Sequence, residues 1–514
     1  MYEYRTSGRS CTIDKRVERM RVDLNNIKKA YSLLKQQAFE MYECGEYGGC
    51  FHKIKQSTIL PVQFNWIYSD DDIEGVMQKM SSKVIRTKND AYIGDDKKVV
   101  LIDDFCRSFI LALQYIEAFT QAGYEVLYIT YKECVVADER SIIPKLQSYE
   151  KVSISVVEVK SYIERAQYIY NSITDFKACK VFLHTTECSD SLLALYSLPS
   201  QIKRYMINLS DQRFWIGTKA IDYSLEFRPF GATVSYERRG LKKEQLLYVP
   251  FYPIVDKHDF KGFPEKANGR VVIFTGGDFY KTLDPNYVYW RLIRDILNQN
   301  PQAIVLFAIK HNIGTKANEF VSKFIRKNKF EDRFISIGFR NDICEVFKHC
   351  DIYLGTCPTS GSLMSQLAAL YSKPILQFYL PDTSDDETEQ ALCYNDKLFI
   401  SFENEADFLC EAKNLIESEE YRRAKGEALH KSMLSTQQFN ERLLDKIHTH
   451  DYSDCERKFV NHEKITERWL FAEKMGYMNT YSFIKSLFGN RMMLKVFPVL
   501  WLQDMCSKIV MRFK

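Results

Sequence analysis

The sequence has no apolar run approaching the roughly 18 to 20 residues that span a bilayer. Its 21 glycines and 13 prolines in 514 residues are too few for collagen or low-complexity sequence. The 14 cysteines are scattered, and no CxxC pair or Cys/His cluster has the spacing of a zinc site. The first residues lack the apolar core of a signal peptide. These absences predict a globular cytoplasmic protein with reduced thiols and no metal site.

The chain also has little net charge, because 71 basic and 67 acidic residues nearly balance and leave only +4. The charge is unevenly distributed: residues 1–60 carry +4, residues 485–514 carry +5, and the remainder is mildly acidic. A nucleic-acid-binding cleft needs a basic surface, which this central part does not offer. The partner of the basic ends is therefore another protein or an anionic membrane surface, not a nucleic acid.

Apolar patterning predicts an α/β protein with two Rossmann-like parallel-sheet domains facing a cleft, flanked by helical N- and C-terminal extensions. Short apolar runs typical of buried parallel strands lie at 99–102, 124–129, 152–159, 180–183, 204–209, 270–274, 303–307, 334–337, 351–354 and 373–378. Helical periodicity covers 14–44 and continues to about 82, with interruptions at Pro61 and Asp70–Asp72. We expect a helical region at 1–95, one domain at 96–252, a linker at 253–268, a second domain at 269–430 and a helical region at 431–514.

Small residues follow several strands of the second domain, at the sheet edge where open α/β folds bind ligands. After the strand ending at Leu354, a turn leads into a helix that begins near Ser362. Exposed backbone N–H groups and the helix dipole suit a phosphate there; the alternative is an ordinary capped turn. The candidate phosphate ligands are Thr359, Ser360, Gly361 and Ser362.

Two further loops of the same domain add candidates. Gly276 and Gly277 follow its first strand, and Lys281 could neutralise a diphosphate leaving group; the alternative is a solvated surface lysine. Phe339 and Arg340 follow another strand and could stack on or cover a base; the alternative is a plain loop. The pattern is neither a Walker A loop nor GxGxxG.

These loops resemble the nucleotide-sugar-binding domain of GT-B-fold glycosyltransferases, in the branch of O-GlcNAc transferase and the bacterial cytoplasmic protein glucosyltransferases. The similarity is carried by FTGGDFYKTLDP (residues 274–285) and DIYLGTCPTSGSLMSQLAALYSKP (residues 351–374). It implies a UDP-sugar as donor substrate with no further cofactor, contact of Lys281 with the diphosphate, and phosphate binding by Gly361 and Ser362. The Glu with which retaining members hold the donor ribose is absent, since Gln366 and Leu367 occupy its place, and this favours an inverting enzyme.

Residues 207–217 and 226–231 resemble bacterial surface-polysaccharide glycosyltransferases, which commonly have Asp-His where this chain has Asp211-Gln212. The departure removes one candidate for the general base that an acceptor hydroxyl requires. The remaining candidates lie at the ends of strands in the first domain: His184, Asp211, and the pair Asp103 and Asp104. Glu226 and Arg228 are expected to form an interdomain salt bridge or to hold the acceptor.

Two regions have open interpretations. The acidic loop 382–389 could reach the hydroxyls of a donor sugar or be a solvated loop. Residues 485–514 combine six basic residues with apolar and aromatic ones, so they either lie in an anionic membrane interface or pack on the catalytic domains.

The sequence therefore predicts a cytoplasmic glycosyltransferase, peripheral on the inner membrane face, that transfers a sugar from a nucleotide sugar. The acceptor is a glycan, a lipid-linked glycan or a protein in surface polysaccharide or glycoconjugate assembly. The alternatives are a non-catalytic GT-B partner of a transferase and a sugar-nucleotide 2-epimerase.

Overall fold

The computed structural model describes residues 24–88, 91–104, 109–135, 142–185, 188–252, 254–255, 258–308, 315–380, 387–474, 480–498, 501–502 and 505. The first ten residues of the helix predicted over 14–44, and most of the acidic loop 382–389, lie outside this part.

The N-terminal region is helical, with α1 at Leu24–Glu43, α2 at Tyr47–Phe64 and α3 at Asp71–Val84. The Asp70 carboxylate caps α3 by accepting hydrogen bonds from the backbone N–H groups of Asp72 and Ile73. The expected interruption at Pro61 is wrong, because Pro61 lies in the last turn of α2. At that position the missing N–H removes a single intrahelical hydrogen bond, so the helix continues to Phe64.

A seven-stranded parallel sheet follows, in the order β3-β2-β1-β4-β5-β6-β7. Its strands are β1 Asp95–Asp103, β2 Glu125–Tyr131, β3 Val152–Val157, β4 Ala178–His184, β5 Lys203–Ile207, β6 Tyr223–Glu226 and β7 Leu246–Tyr248. The helices along it are α4 Phe109–Gln121, α5 Ile143–Leu146, α6 Tyr162–Phe176, α7 Ser191–Tyr196 and α8 Pro229–Arg238. β1 to β5 correspond to predicted strands, whereas β6 and β7 are too short to show a period.

The second sheet has six parallel strands in the order β10-β9-β8-β11-β12-β13. The strands are β8 Val271–Gly276, β9 Ala303–Ala308, β10 Phe334–Ser336, β11 Ile352–Leu354, β12 Ile375–Phe378 and β13 Ser401–Phe402. The helices are α9 Val288–Gln299, α10 Thr315–Asn328, α11 Ile343–His349, α12 Ser362–Leu370 and α13 Glu387–Leu392. Both strand orders reverse after the first strand, which creates a switch point between β1 and β4 and another between β8 and β11.

Each sheet is covered on both faces, so its strands read as continuous apolar runs. In β1, Val100 and Ile102 belong to one buried cluster, and Val99 and Leu101 belong to another. This division follows from the two-residue period of a strand, which sends successive side chains to opposite faces.

The helices that follow β13 pack first on the second domain and then on the first. They are α14 Glu405–Glu417, α15 Glu419–Ser432, α16 Thr436–Thr449, α17 His462–Lys474 and α18 Thr480–Val496. Phe439, Leu443 and Ile447 of α16 are buried in the same cluster as β1. Met493, near the end of α18, and Phe497 are buried in a cluster that includes α1. The described part of 485–514 therefore packs at least partly on the N-terminal helices.

Within the described ranges, no helix is both long enough and apolar enough to cross a membrane. The expectation that the thiols are all reduced is wrong at one position, because Cys134 is disulfide-bonded.

Candidate active site

The switch point of the second sheet brings together the two glycine-containing loops singled out in the sequence. Gly277 has φ +144°, which disfavours other residues, and a Cβ built on it would lie 3.9 Å from the Thr356 methyl carbon. A Cβ on Gly276 would lie 2.6 Å from the carbonyl oxygen of Ala308, so only glycine fits this end of β8. The loops after β8 and β11 are thus in contact.

Lys281 lies in the space between these loops. Its Nζ is 3.8 Å from the position of a Cβ built on Gly361, and its carbonyl oxygen accepts a hydrogen bond from the Thr359 N–H at 3.4 Å. Among the described residues, no carboxylate forms an ion pair with its ammonium group. The adjoining Asp284 has a structural task, since its carboxylate accepts hydrogen bonds from the Asn286 and Val288 N–H groups at the start of α9.

The helix that follows the second loop begins where the sequence predicted it. α12 starts at Ser362, and Thr359, Ser360, Gly361 and Ser362 are all partly exposed. Its N-terminal N–H groups and the Lys281 ammonium therefore face the same loop. A helix N-terminus, a nearby cation and glycines that allow close approach form a site suited to an anion such as a diphosphate.

The third predicted loop has a different character. The Phe339 side chain is exposed, whereas the Arg340 guanidinium pairs with the Asp342 carboxylate at 2.5 and 2.7 Å and donates to the Gly262 carbonyl at 2.9 Å. Arg340 thus joins this loop to the segment between the sheets. A role of either residue in base binding stays a prediction.

The switch point of the first sheet joins two candidate catalytic residues. Asp103 and His184 are register partners at the ends of β1 and β4, and both are buried. The His184 Nδ1 lies 2.9 Å from Asp103 Oδ1, and the Tyr128 hydroxyl donates to Asp103 Oδ2 at 2.7 Å. Donation from Nδ1 to the carboxylate selects the tautomer whose lone pair is on Nε2, which is the arrangement of an oriented general base.

Asp104 directly follows Asp103 at the carboxyl end of β1. The residue as a whole is partly exposed, but protein atoms surround its carboxyl group. The resulting desolvation raises the pKa of Asp104 to about 6. Hydrogen bonds with Ser189 and Thr185 oppose the rise, and the neighbouring Asp103 adds to it. An acid with this pKa changes its charge close to neutral pH.

Asp211 occupies a separate position beyond β5. Its two carboxylate oxygens accept hydrogen bonds from Nε and Nη2 of Arg228 at 2.7 and 3.2 Å, and both side chains are almost completely buried. The paired oxygens are engaged by a cation, so Asp211 is better suited to hold Arg228 than to accept a proton from an acceptor.

Arg228 connects the two sheets, as the sequence predicted for it. Its Nη1 lies 3.6 Å from Glu387 Oε2, and the Ser360 hydroxyl lies 3.4 Å from the same carboxylate oxygen. Burial raises the pKa of Glu387, while Arg228 and then Arg468 oppose the rise. A polar chain therefore runs from Asp211 in the first domain to the donor loop in the second.

Glu226 does not share this bridge. It is completely buried and accepts hydrogen bonds from Asn208, Ser224 and Ser235 at 2.7–2.8 Å. Burial raises the pKa of Glu226, and Arg239 is among the groups that oppose the rise. Glu226 thus holds the loop after β5, and its expected pairing across the domains is wrong.

The Gln366 side chain also has a structural role. Its buried amide donates to the carbonyl oxygens of Phe251 at 2.9 Å and Ala391 at 3.3 Å. It therefore ties α12 to the end of the first domain and to α13.

Sequence reasoning missed the contribution of the C-terminal helix α17. A cavity at the junction of the two sheets and this helix is lined by Gln212, Tyr280, Pro358, Thr359, Glu387, Ile465, Arg468 and Trp469. Arg468 and Trp469 are about 110 residues beyond the donor loop and belong to no motif, so only the fold could reveal them.

Comparisons with known proteins agree with this architecture. No protein-family model and no curated protein sequence matches the chain. A mutant O-GlcNAc transferase from Thermobaculum terrenum is similar in structure over 83% of this chain and 82% of that chain, with a TM-score of 0.51 and 14% identity.

Two other solved structures are more distant. Anabaena HepE in complex with UDP and glucose covers 69% of this chain and 100% of its own, with a TM-score of 0.46 and 13% identity. Staphylococcus aureus TarM, solved with UDP, covers 68% and 99%, with a TM-score of 0.48 and 8% identity. The chain has the GT-B fold, with two parallel-sheet domains. The fold assignment rests on the similarity to the O-GlcNAc transferase structure.

Proposed function

We propose that this GT-B protein is a glycosyltransferase that uses a nucleotide sugar, with a UDP-sugar as the preferred donor. The observation that carries the proposal is the position of Lys281 beside Thr359 and Gly361 at the switch point of the second sheet. This arrangement suits a diphosphate whose negative charge grows as the sugar leaves. The choice of uridine follows the resemblance of residues 274–285 and 351–374 to UDP-sugar-dependent enzymes.

His184 acts as the general base in this proposal, with Asp103 as its orienting carboxylate. The acceptor hydroxyl loses its proton to Nε2 of His184 while its oxygen bonds to the anomeric carbon. The bond from that carbon to the diphosphate oxygen breaks, and the electron pair leaves with the nucleoside diphosphate. Attack from the face opposite the leaving group inverts the anomeric centre, in line with the absence of a ribose-binding Glu from the neighbourhood of Gln366 and Leu367.

Turnover by the purified protein tests the proposal. We expect hydrolysis or transfer from one member of a panel of UDP-, GDP-, CMP- and dTDP-sugars, and a loss of about 100-fold or more in Lys281→Ala. Arg423→Gln, on the exposed face of α15, is the control. Donor binding without turnover would favour a non-catalytic partner, release of the epimeric sugar would favour the epimerase, and failure to bind any donor would refute the proposal.

We propose that the acceptor is a glycan, a lipid-linked glycan or a protein.

We also propose that the protein makes peripheral contact with an anionic membrane through residues 485–514. Arg491 and Lys495 supply positive charge close in sequence to Leu494, and Leu494 and Leu502 are 48% and 53% exposed. Co-sedimentation with phosphatidylglycerol vesicles but not with phosphatidylcholine vesicles is expected. Equal recovery with both lipids, or none with either, would contradict membrane contact.

A further inference from the structure

The cavity beside the donor loop is built by three parts of the chain. Gln212 belongs to the first domain, Tyr280 and Thr359 to the second, and Arg468 and Trp469 to α17. Lys281 adjoins this cavity. The preceding residue, Tyr280, lines the cavity, and the Lys281 carbonyl oxygen accepts a hydrogen bond from the N–H of Thr359, which also lines it. Whatever binds at the donor loop therefore lies next to α17.

Arg468 brings a second positive charge to the loop that carries the predicted phosphate ligands. One of its terminal nitrogens, Nη1, donates to the carbonyl oxygen of Pro358 at 3.0 Å, directly before Thr359. Its positive charge opposes the burial-driven rise in the pKa of Glu387, which lines the cavity, and in the pKa of Asp284, which follows Lys281 closely in the chain. The guanidinium thus lies among the groups that enclose the loop.

The helix that carries Arg468 is fixed in place on both of its neighbours. The Trp469 ring stacks on Tyr280 with centroids 4.6 Å apart and planes at 30°. The Thr466 hydroxyl donates to the Asn65 carbonyl at 2.7 Å, and the Asn65 amide donates to the Gln212 carbonyl at 2.9 Å. The position of the guanidinium is therefore set before a ligand arrives, which lowers the cost of binding.

We propose that Arg468 is a second cationic ligand of the donor diphosphate, opposite Lys281, and that α17 is consequently part of the donor site. This inference rests on the proposed function. Both cations adjoin the short loop 358–361, the Lys281 ammonium at Gly361 and the Arg468 guanidinium at Pro358. A guanidinium can contact two phosphate oxygens at once, and its attraction strengthens as the diphosphate leaves.

Calorimetric titration with UDP tests the inference in wild type, Arg468→Gln, Arg468→Lys and the surface control Arg423→Gln; GDP, CDP and dTDP serve as further probes. We expect Arg468→Gln to weaken binding by about tenfold or more, because a charge-assisted hydrogen bond is lost. Arg468→Lys should weaken it less but measurably, since a lysine cannot make the bidentate contact. Arg423→Gln should bind like wild type.

Melting temperatures of the free variants show whether each one folds. If Arg468→Gln does not fold, Arg468→Lys decides: weaker UDP binding supports the inference, and unchanged binding overturns it. Unchanged binding in both folded variants, alongside a loss in Lys281→Ala, would overturn the role of Arg468 and leave the proposed function standing. A wild type that binds none of the four nucleotides would refute the proposed function and this inference together.

Discussion

A buried histidine on a sheet edge is usually a hydrogen-bonding part of the core, but His184 is held by a carboxylate that is itself held by a tyrosine. Asp103 accepts from both, and in the proposed mechanism its charge would fix the imidazole tautomer and stabilise the imidazolium formed when His184 takes up a proton.

Replacement of Asp103 by Asn tests this arrangement. An amide can present its N–H₂ to His184 and select the wrong tautomer, so kcat should fall by about 100-fold or more while KM changes little. Tyr128→Phe, which removes only the second hydrogen bond to Asp103, is the matched control and should have a smaller effect on kcat. Steady-state kinetics measure both variants, and a kcat near wild type in Asp103→Asn would exclude His184 as the base.

Asp104 makes a prediction about stability and its dependence on pH. Because the pKa of Asp104 is raised to about 6 from 3.8, its ionisation costs the folded state free energy as pH rises from about 4 to 6. Asp104→Asn should therefore stabilise the protein at pH 7.5 by about 1–3 kcal/mol, and by less at pH 5. Urea denaturation at both pH values measures the difference. A destabilised variant at pH 7.5 would contradict the desolvation of this carboxylate.

The loop and helix at residues 355–370 show how an element combines a fold signal with a functional one. The sequence predicts a buried strand, a turn of small residues and the start of a helix at Ser362, because these features are contiguous in the chain. The glycine at 361 is not required by the backbone, since its φ is −116° and no atom would lie closer than 3.8 Å to a Cβ there. Its value is the open space beside Lys281.

Gly361→Ala should therefore separate binding from folding. The methyl group fits the ligand-free protein, so the melting temperature should stay within about 2 °C, while UDP affinity should fall because the methyl occupies the approach to the loop. Gly75→Ala in α3, where a Cβ also meets nothing within 4 Å, is the control and should leave affinity unchanged. Differential scanning fluorimetry and calorimetry measure the two effects. Wild-type affinity in Gly361→Ala would place the diphosphate elsewhere.

An element could be predicted from the sequence where the residues that define it are adjacent in the chain, and could not be predicted where folding brings them together. Buried strands such as β1 and β8 were found because four or more adjacent residues are apolar. β13, at Ser401–Phe402, has two residues and no pattern to detect. In the same way Lys281 was identified from its own loop, whereas Arg468 reaches the site only because α17 packs across both domains.

At the scale of the molecule, the buried bridge from Asp211 through Arg228 to Glu387 joins the two sheets. Arg228→Ala would leave the buried Asp211 carboxylate without its cation and would remove one of the two cations near Glu387, so a loss of about 3–5 kcal/mol in the free energy of unfolding is expected. Arg204→Ala is the matched control, because its pair with Asp222 lies within the first domain and is more exposed. Its loss should be about 1 kcal/mol or less. If urea denaturation gave equal losses of unfolding free energy for the two variants, the interdomain bridge would stabilise the protein no more than the exposed pair does.

The net charge of the chain conceals a local cationic site. The mildly acidic central part of the sequence encloses a local cationic site, formed by Lys281 and the N-terminus of α12, which a whole-chain charge of +4 could not reveal. The site is small and local, as expected for one anionic ligand rather than for a long polyanion.

A crystal structure of the protein grown with UDP tests the central claim most directly. The account predicts that the diphosphate lies against the N-terminus of α12, within hydrogen-bond distance of the Lys281 ammonium and of backbone N–H groups in 359–362. UDP bound at another place in the molecule, or a diphosphate directed away from Lys281 and α12, would contradict it.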